Sequence, residues 1–186
     1  QLGVRTAVVM TSGFGETDPV AGKAKERRMR DAGHARGMRI IGPNTQGLAN
    51  FGSGAILSFS TMYVEAPPQD GPVGIVSQSG AMSVVPYGLL RERGIGVRHS
   101  HATGNDCDVT VAELASVVAE DPELKLLLLY LESITDAKWL AETARIACAR
   151  DLPVIALKSG RTAAGQEAAR SHTGALANED RVVDAF

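Results

Sequence analysis

A chain of 186 residues with 44% hydrophobic and 22% charged side chains has room for one large or two small globular domains. A formal net charge of −2 and an aromatic content of 4% exclude a polybasic nucleic-acid or membrane surface and a base-stacking platform. No run approaches the ~18 apolar residues of a spanning helix, so no membrane partner is expected.

In chain order, Arg5 to Met10 reads as a short buried strand ending in the turn Ser12-Gly13-Phe14-Gly15. Asp18-Pro19 resembles an N-cap followed by a first-turn proline, and a basic, polar helix is expected from Val20 to about Arg36. Gly37 stops it, Met38 to Ile41 forms another strand, and Gly42-Pro43-Asn44 breaks that strand. Residues 47 to 64 alternate weakly and read as a hairpin or extended segment. The stretch from Glu65 to Gly71 carries Pro67 and Pro68 and reads as a linker.

Beyond it the pattern becomes regular. Strands are expected at Val73–Val76, Val97–Ala102, Lys125–Leu131 and Val154–Lys158. Helices are expected at Ala81–Arg93, Val109–Glu120 with a cap near Asp108, and Asp136–Arg150. Alternating strands and helices with apolar strand interiors predict an α/β, flavodoxin-like parallel sheet with helices on both faces. Ligands of such sheets gather at the carboxyl ends of the strands.

Chemistry-bearing residues fall at those ends. Ser77-Gln78-Ser79-Gly80-Ala81 joins a strand to a helix N-terminus, where small residues expose backbone N–H groups suited to a phosphate. The same segment is also open to a plain strand-to-helix turn with a serine cap. Thr103-Gly104-Asn105-Asp106 reads as a tight turn. Glu132 follows the most apolar strand, and His172 lies in Ser171-His172-Thr173-Gly174, a loop bordered by small residues beyond the last strand. A histidine that attacks through one ring nitrogen needs the other held by an acceptor, and Glu132 is the best-placed acceptor. His99 and His101 share a strand face without a third metal ligand, His34 reads as solvated, and Cys107 between Asp106 and Asp108 reads as a packing residue. Cys107 and Cys148 match no metal spacing, so a reduced, cytoplasmic compartment is the simpler expectation. The chain opens at Gln1 and closes at Phe186 inside an amphipathic pattern, so a piece of a longer polypeptide is expected, and no signal peptide is.

Taken in order, Thr11-Ser-Gly-Phe14, Gly42-Pro-Asn-Thr-Gln-Gly47, Gly74-Ile-Val-Ser-Gln-Ser-Gly80, Gly104-Asn105 with Asp108, Glu132 and Ser171-His-Thr-Gly-Ala-Leu176 resemble the nucleoside-diphosphate-forming acyl-CoA synthetases, relatives of the succinyl-CoA synthetase alpha subunit. The resemblance implies that residues 1–64 are the tail of a Rossmann-like CoA-binding domain and residues 71–186 a flavodoxin-like domain carrying the active-site histidine. It implies phosphorylation of His172, orientation of its ring by Glu132, and phosphate binding at Ser77, Gln78, Ser79, Gly80 and Ala81. It implies CoA contacts at Ser12, Gly13, Asn44 and Thr45, although the family often has cysteine where Thr45 stands. ATP or ADP with Mg2+ would be bound by an ATP-grasp domain or beta-type subunit outside this chain, so an oligomer is expected. The substrates would be CoA and a small carboxylic acid, in an acid-thiol ligase reaction. The alternative is a non-catalytic regulatory region such as the CoA-ligase-like part of a lysine acetyltransferase.

Overall fold

The computed structural model describes residues 3–160, so the loop expected around His172 lies outside the described residues. A two-stranded parallel sheet pairs β1 (Thr6–Val8) with β2 (Arg39–Ile41) through α1 (Ala21–His34). The larger sheet has six strands in the order β4 (Ala55–Ser58), β3 (Gly47–Asn50), β6 (Val97–Ala102), β5 (Val73–Ser77), β7 (Leu126–Leu131) and β8 (Val154–Lys158). β6, β5, β7 and β8 are parallel, and the β3–β4 hairpin adds an antiparallel edge. The remaining helices are α2 (Met62–Glu65), α3 (Gly80–Glu92), α4 (Val111–Ala119) and α5 (Ala137–Ala149). The structure bears out the mostly parallel flavodoxin-like sheet read from the strand–helix alternation.

β5 and most of β6 are buried on both faces, as a parallel sheet between helices requires, whereas Ile155 and Leu157 of β8 are exposed among the described residues. Leu127, Leu129 and Leu131 of β7 join Val76 in a core covered by α4 and α5, with Val111, Ala115, Val118, Ile146 and Ala147. Val73 and Ile75 face the opposite core with Val84 and Tyr87 of α3, and Leu126 and Leu128 pack against it.

The hairpin, grouped above with residues 1–64, is hydrogen-bonded into the larger sheet, with Leu48 opposite His101 and Asn50 opposite His99. An aromatic trio fixes it there. Phe51 and Tyr63 meet edge-on at 5.2 Å, Tyr63 and Tyr87 at 4.9 Å, and Tyr63 Oη donates to Ser100 Oγ at 2.9 Å. The expected linker is likewise tied down, because Val97 N donates to Gln69 O at 2.9 Å and Tyr87 Oη to Ala66 O at 2.7 Å.

Two helix starts differ from expectation. The cap of α4 is Thr110, whose Oγ1 accepts from Glu113 N at 3.2 Å, while Asp108 accepts from Ile40 N at 2.7 Å and from Arg39 Nε. Asp18 accepts from Val20 N and Ala21 N, both at 2.8 Å, but the N-cap position of α1 is Val20 and the helix begins at Ala21, so Pro19 lies ahead of the first turn.

At the amino end of β6, Arg98 Nε donates to Asp121 Oδ2 at 2.7 Å, and His99 Nε2 lies 2.8 Å from the same oxygen. Partial burial works to raise the Asp121 pKa, but these two partners hold it down to about 2. A depressed carboxyl pKa contributes stability that is present above its ordinary value of 3.8 and lost as pH falls towards about 2. Asp121→Asn is expected to lower stability at neutral pH and to flatten its decline across that acid window. Urea midpoints measured through the window check this, and an unchanged slope refutes it.

Candidate active site

Because β5 to β8 run parallel, their carboxyl ends share one rim. From β5 the chain passes to β6 on one side and then crosses to β7 on the other, so the switch point lies at the exit of β5. Ser77 closes β5 there and Gly80 opens α3. The Ser77 hydroxyl is committed to Ser79 O at 2.7 Å, and the Ser83 hydroxyl to Gly80 O at 2.7 Å. Ser79 occupies the N-cap position with extended backbone but makes no capping bond, and no acidic residue stands in the first turn. Among the described residues the first N–H groups of α3 thus have no side-chain cap, and they carry the positive end of the helix.

Gln78 binds the neighbouring loops together. Its Oε1 accepts from Glu132 N at 2.6 Å and Ser133 N at 2.9 Å, and its Nε2 donates to Asp106 Oδ2 at 2.9 Å and Ser133 Oγ at 3.1 Å. Main-chain N–H groups can only donate, so they fix which end of the amide faces them. Glu132 is buried, 4% exposed, and its carbonyl accepts from Lys158 Nζ at 2.9 Å at the exit of β8.

The exit of β6 draws in the amino-terminal loops. Gly104 has φ +68°, and a Cβ there would lie 2.2 Å from Pro43 O, so a side chain would force the loops apart. Asn105 N donates to Pro43 O at 2.9 Å, and Asn44 Nδ2 to Asn105 Oδ1 at 3.2 Å. Asn105 Nδ2 in turn reaches Glu16 Oε2 at 2.6 Å and Glu26 Oε1 at 2.7 Å. A cleft of about 420 Å³ results, bounded by Asn44, Thr45 and Gln46 on one side and Gln78, Ser79, Gly80 and Ala81 on the other, with Glu16 and Phe59 also lining it.

The structure therefore brings Asn44 and Thr45 to the same cleft as the Ser77–Ala81 turn. Thr45 spends its hydroxyl on the main chain, donating to Ala102 O at 2.6 Å and accepting from Gly47 N at 2.9 Å. Ser12 and Gly13 are exposed and do not line the cleft; Gly13 N donates to Glu16 Oε1 at 2.5 Å. Glu132 sits at the same rim, and His172 lies outside the described residues.

One titratable group differs in detail from the sequence reading, and three follow it. His34 is not simply solvated, since its Nε2 lies 2.9 Å from Asp108 Oδ1. His99 and His101 pack together, His99 Nδ1 to His101 Nε2 at 3.0 Å, and burial first, then the His99 neighbour, lowers the His101 pKa to about 3. No metal-binding cluster of His, Cys, Asp or Glu exists among the described residues. Cys107 behaves as read, because burial and then the nearby carboxylates of Glu26 and Asp108 push its thiol up to about 12.

The residue sequence reasoning missed is Asp106. Its Oδ2 accepts from Gln78 Nε2 and from Val111 N at 3.1 Å, while Oδ1 is buried without a partner among the described residues. Burial pushes its carboxyl pKa up to about 6, and the Glu132 charge adds to that rise. An aspartate one turn ahead of a helix at a strand exit was the available signal, but a turn explains the same letters.

Fold and rim together define a flavodoxin-like α/β domain with a candidate site at the switch point. Residues 70–186 match the family described as succinyl-CoA ligase like flavodoxin domain, and the chain belongs to that family. It is similar to the Pyrococcus furiosus acetate–CoA ligase (ADP-forming) II subunit alpha, at 37% identity over 100% of this chain and 39% of that protein. The Methanocaldococcus jannaschii acetate–CoA ligase (ADP-forming) is 34% identical over 98% of this chain and 25% of its own length. Among solved structures, the dinucleotide-forming acetyl-coenzyme A synthetase 1 of Ca. Korarchaeum cryptofilum, in complex with phosphate and ADP, superposes with a TM-score of 0.82 at 30% identity, covering 98% of this chain and 38% of that one. This chain thus spans about two-fifths or less of these relatives.

A carboxyl pKa raised by burial means the ionised form is disfavoured in the fold; the associated stability is present below 3.8 and lost as pH rises through about 6. Asp106→Asn keeps an acceptor for both Oδ2 bonds and removes the charge. It is expected to raise stability by roughly 1–2 kcal/mol at about pH 8, with no gain at about pH 4. Thermal melts at the two pH values check this, and a loss at pH 8 refutes it.

Proposed function

We propose that this chain is the histidine-bearing part of an acyl-CoA synthetase that interconverts acyl-CoA, phosphate and a nucleoside diphosphate with free acid, CoA and the triphosphate. The observation that carries the reading is the pairing, at one switch point, of an uncapped helix N-terminus with a buried carboxylate, bound together by Gln78. The naming of relatives as ADP-forming acetate–CoA ligases, and of a neighbour bound to phosphate and ADP, supports it.

In this reading a phosphate oxygen attacks the thioester carbonyl, the C–S bond breaks, and CoA leaves with a proton. A ring nitrogen of His172 then attacks phosphorus, the bond from phosphorus to the acyl oxygen breaks, and the carboxylate departs. The nucleoside diphosphate takes the phosphoryl group and restores the imidazole. The N–H groups at Gly80 and Ala81 face the phosphoryl oxygens, so positive helix-end charge meets the charge spread over a loose transition state. Glu132 holds the second ring nitrogen and favours the tautomer that leaves the first one free to attack.

Residues 1–64 would belong to a CoA-binding Rossmann-like domain, with Asn44 and Thr45 presenting the thiol end of CoA to the cleft and Ser12 and Gly13 further out. Residues 71–186 would be the histidine domain. The nucleotide and its Mg2+ would be held by an ATP-grasp module on this or a partner chain in a cytoplasmic assembly.

The test uses the full-length protein with its nucleotide module and ATP labelled in the terminal phosphate. An acid-labile, base-stable phosphoryl adduct is expected and is lost in His172→Asn. Glu132→Gln is expected to slow its formation by about 10² to 10⁴-fold. Labelling that survives in His172→Asn overturns the assignment, and a full-length protein that never labels favours a regulatory role.

A further inference from the structure

The rim holds a second carboxylate that the reaction outlined above does not use. Asp106 stands at the exit of β6 with φ +51°, a backbone conformation that non-glycine residues seldom adopt. Its Oδ2 accepts from Gln78 Nε2 at 2.9 Å and from Val111 N at 3.1 Å, at the start of α4. Its Oδ1 is buried and finds no partner among the described residues. An asparagine oxygen would accept the same two bonds, so the carboxylate adds only charge to this geometry. That charge is costly, since burial strips the carboxylate of water faster than its few donors replace it.

The other end of the Gln78 amide shows what the charge does. Gln78 Oε1 receives the N–H groups of Glu132 and Ser133, which set the direction in which the chain leaves β7 and carries the Glu132 side chain. A bond from an amide to an ionised acceptor is about twice as strong as one to a neutral acceptor. The Asp106 charge therefore pins Nε2, and the rigid amide carries that constraint to Oε1. We propose that Asp106 is a positioning residue of this site, acting through Gln78 on the loop that bears Glu132.

Among the described residues, the groups facing Asp106 come from four elements. Glu132 from the exit of β7 opposes its ionisation, while Thr103, Gln78 and the Val111 N–H favour it. On the far side of the Glu132 main chain, Lys158 from β8 donates to the Glu132 carbonyl. Burial brings the Asp106 carboxyl up to about 6, so it gains a proton, and its hold on Gln78 weakens, as pH falls through that value.

The inference rests on the phosphohistidine reading for its catalytic consequence but not for its structural one, and the test separates the two. Asp106→Asn, Gln78→Ala and the double variant are made in the full-length protein. Hydrogen exchange of the peptide spanning residues 131–134 is followed first. Both single variants are expected to speed exchange of the Glu132 and Ser133 amides by ~3-fold or more, and the double variant to match Gln78→Ala. Phosphorylation of His172 is measured next. Asp106→Asn is expected to lower its rate by about 10-fold near pH 7 with KM for acyl-CoA unchanged, and this deficit to shrink below about pH 6, where Asp106 of the parent is itself protonated, the loss from protonating His172 being common to both. A purely structural role would leave the deficit the same at every pH. Gln78→Met, close in shape, replaces the alanine variant if the latter does not fold. Wild-type exchange in Asp106→Asn, or losses that multiply in the double variant, overturns the inference. A parent protein that never labels sinks the reaction instead, and the exchange result still decides the role of Asp106.

Discussion

The site depends on one planar amide. Gln78 has two chemically distinct ends fixed a short distance apart, and the rim uses both. Oxygen faces two main-chain donors from the exit of β7, and nitrogen faces a carboxylate from the exit of β6 and a hydroxyl at Ser133. The arrangement has a single polarity, because reversing the amide would set N–H against N–H and oxygen against carboxylate. A residue that is 5% exposed cannot replace these lost bonds with water, so any other orientation strands buried polar atoms. Loops that elsewhere are the most mobile parts of an α/β fold are here held to one another at bonding distance.

The same loop that supplies Asp106 also joins the two sheets. From Asn105 to Val109 it runs along residues 40 to 43, with main-chain bonds Asn105 N to Pro43 O at 2.9 Å, Cys107 N to Gly42 O at 3.2 Å and Val109 N to Ile40 O at 3.1 Å. Side chains reinforce the seam. Asp108 gathers Ile40 N, Arg39 and His34, and Arg39 extends to Glu113 through a paired set of bonds at 2.9 Å. The cleft wall formed by Asn44 and Thr45 therefore cannot shift far without disturbing the β6 exit. Geometry at the helix N-terminus and geometry at the amino-terminal wall are coupled through this one short stretch.

Much of this fold was legible in the chain. The strands at Val97–Ala102 and Val154–Lys158 match their expected bounds, because Gly-Ile-Gly and Thr-Gly punctuate the first on either side, and Leu-Pro and Ser-Gly the second. What could not be read was long-range pairing. Residues 47–64 alternate weakly, and nothing local says that Leu48 will lie opposite His101 rather than extend the smaller sheet. The cap of α4 passed from Asp108 to Thr110 because Asp108 was drawn away by Arg39 and Ile40, partners nearly seventy residues earlier in the chain. The candidate site was half legible for the same reason. Ser77-Gln78-Ser79-Gly80 and Glu132 announce themselves by position at strand exits, whereas the role of Asp106 exists only once three exits share a rim.

The two helix starts at this rim show how the local electrostatics divide. α4 begins with its donors answered from within, by Thr110 and by Asp106 at Val111 N. α3 begins with Ser79 in the capping position but turned to no cap bond, and with neighbouring hydroxyls spent on carbonyls. A serine at that position ordinarily contributes about 1 kcal/mol by accepting from the first turn. Leaving that bond unmade costs stability unless another acceptor arrives, and an anion is the acceptor that both the free N–H groups and the helix dipole favour. Two carboxylates enclosed nearby would repel such an anion if both were aimed at it. Asp106 is instead turned to the start of α4 and to Gln78, so its negative charge is spent on the helix beside the site and the α3 terminus keeps its positive potential.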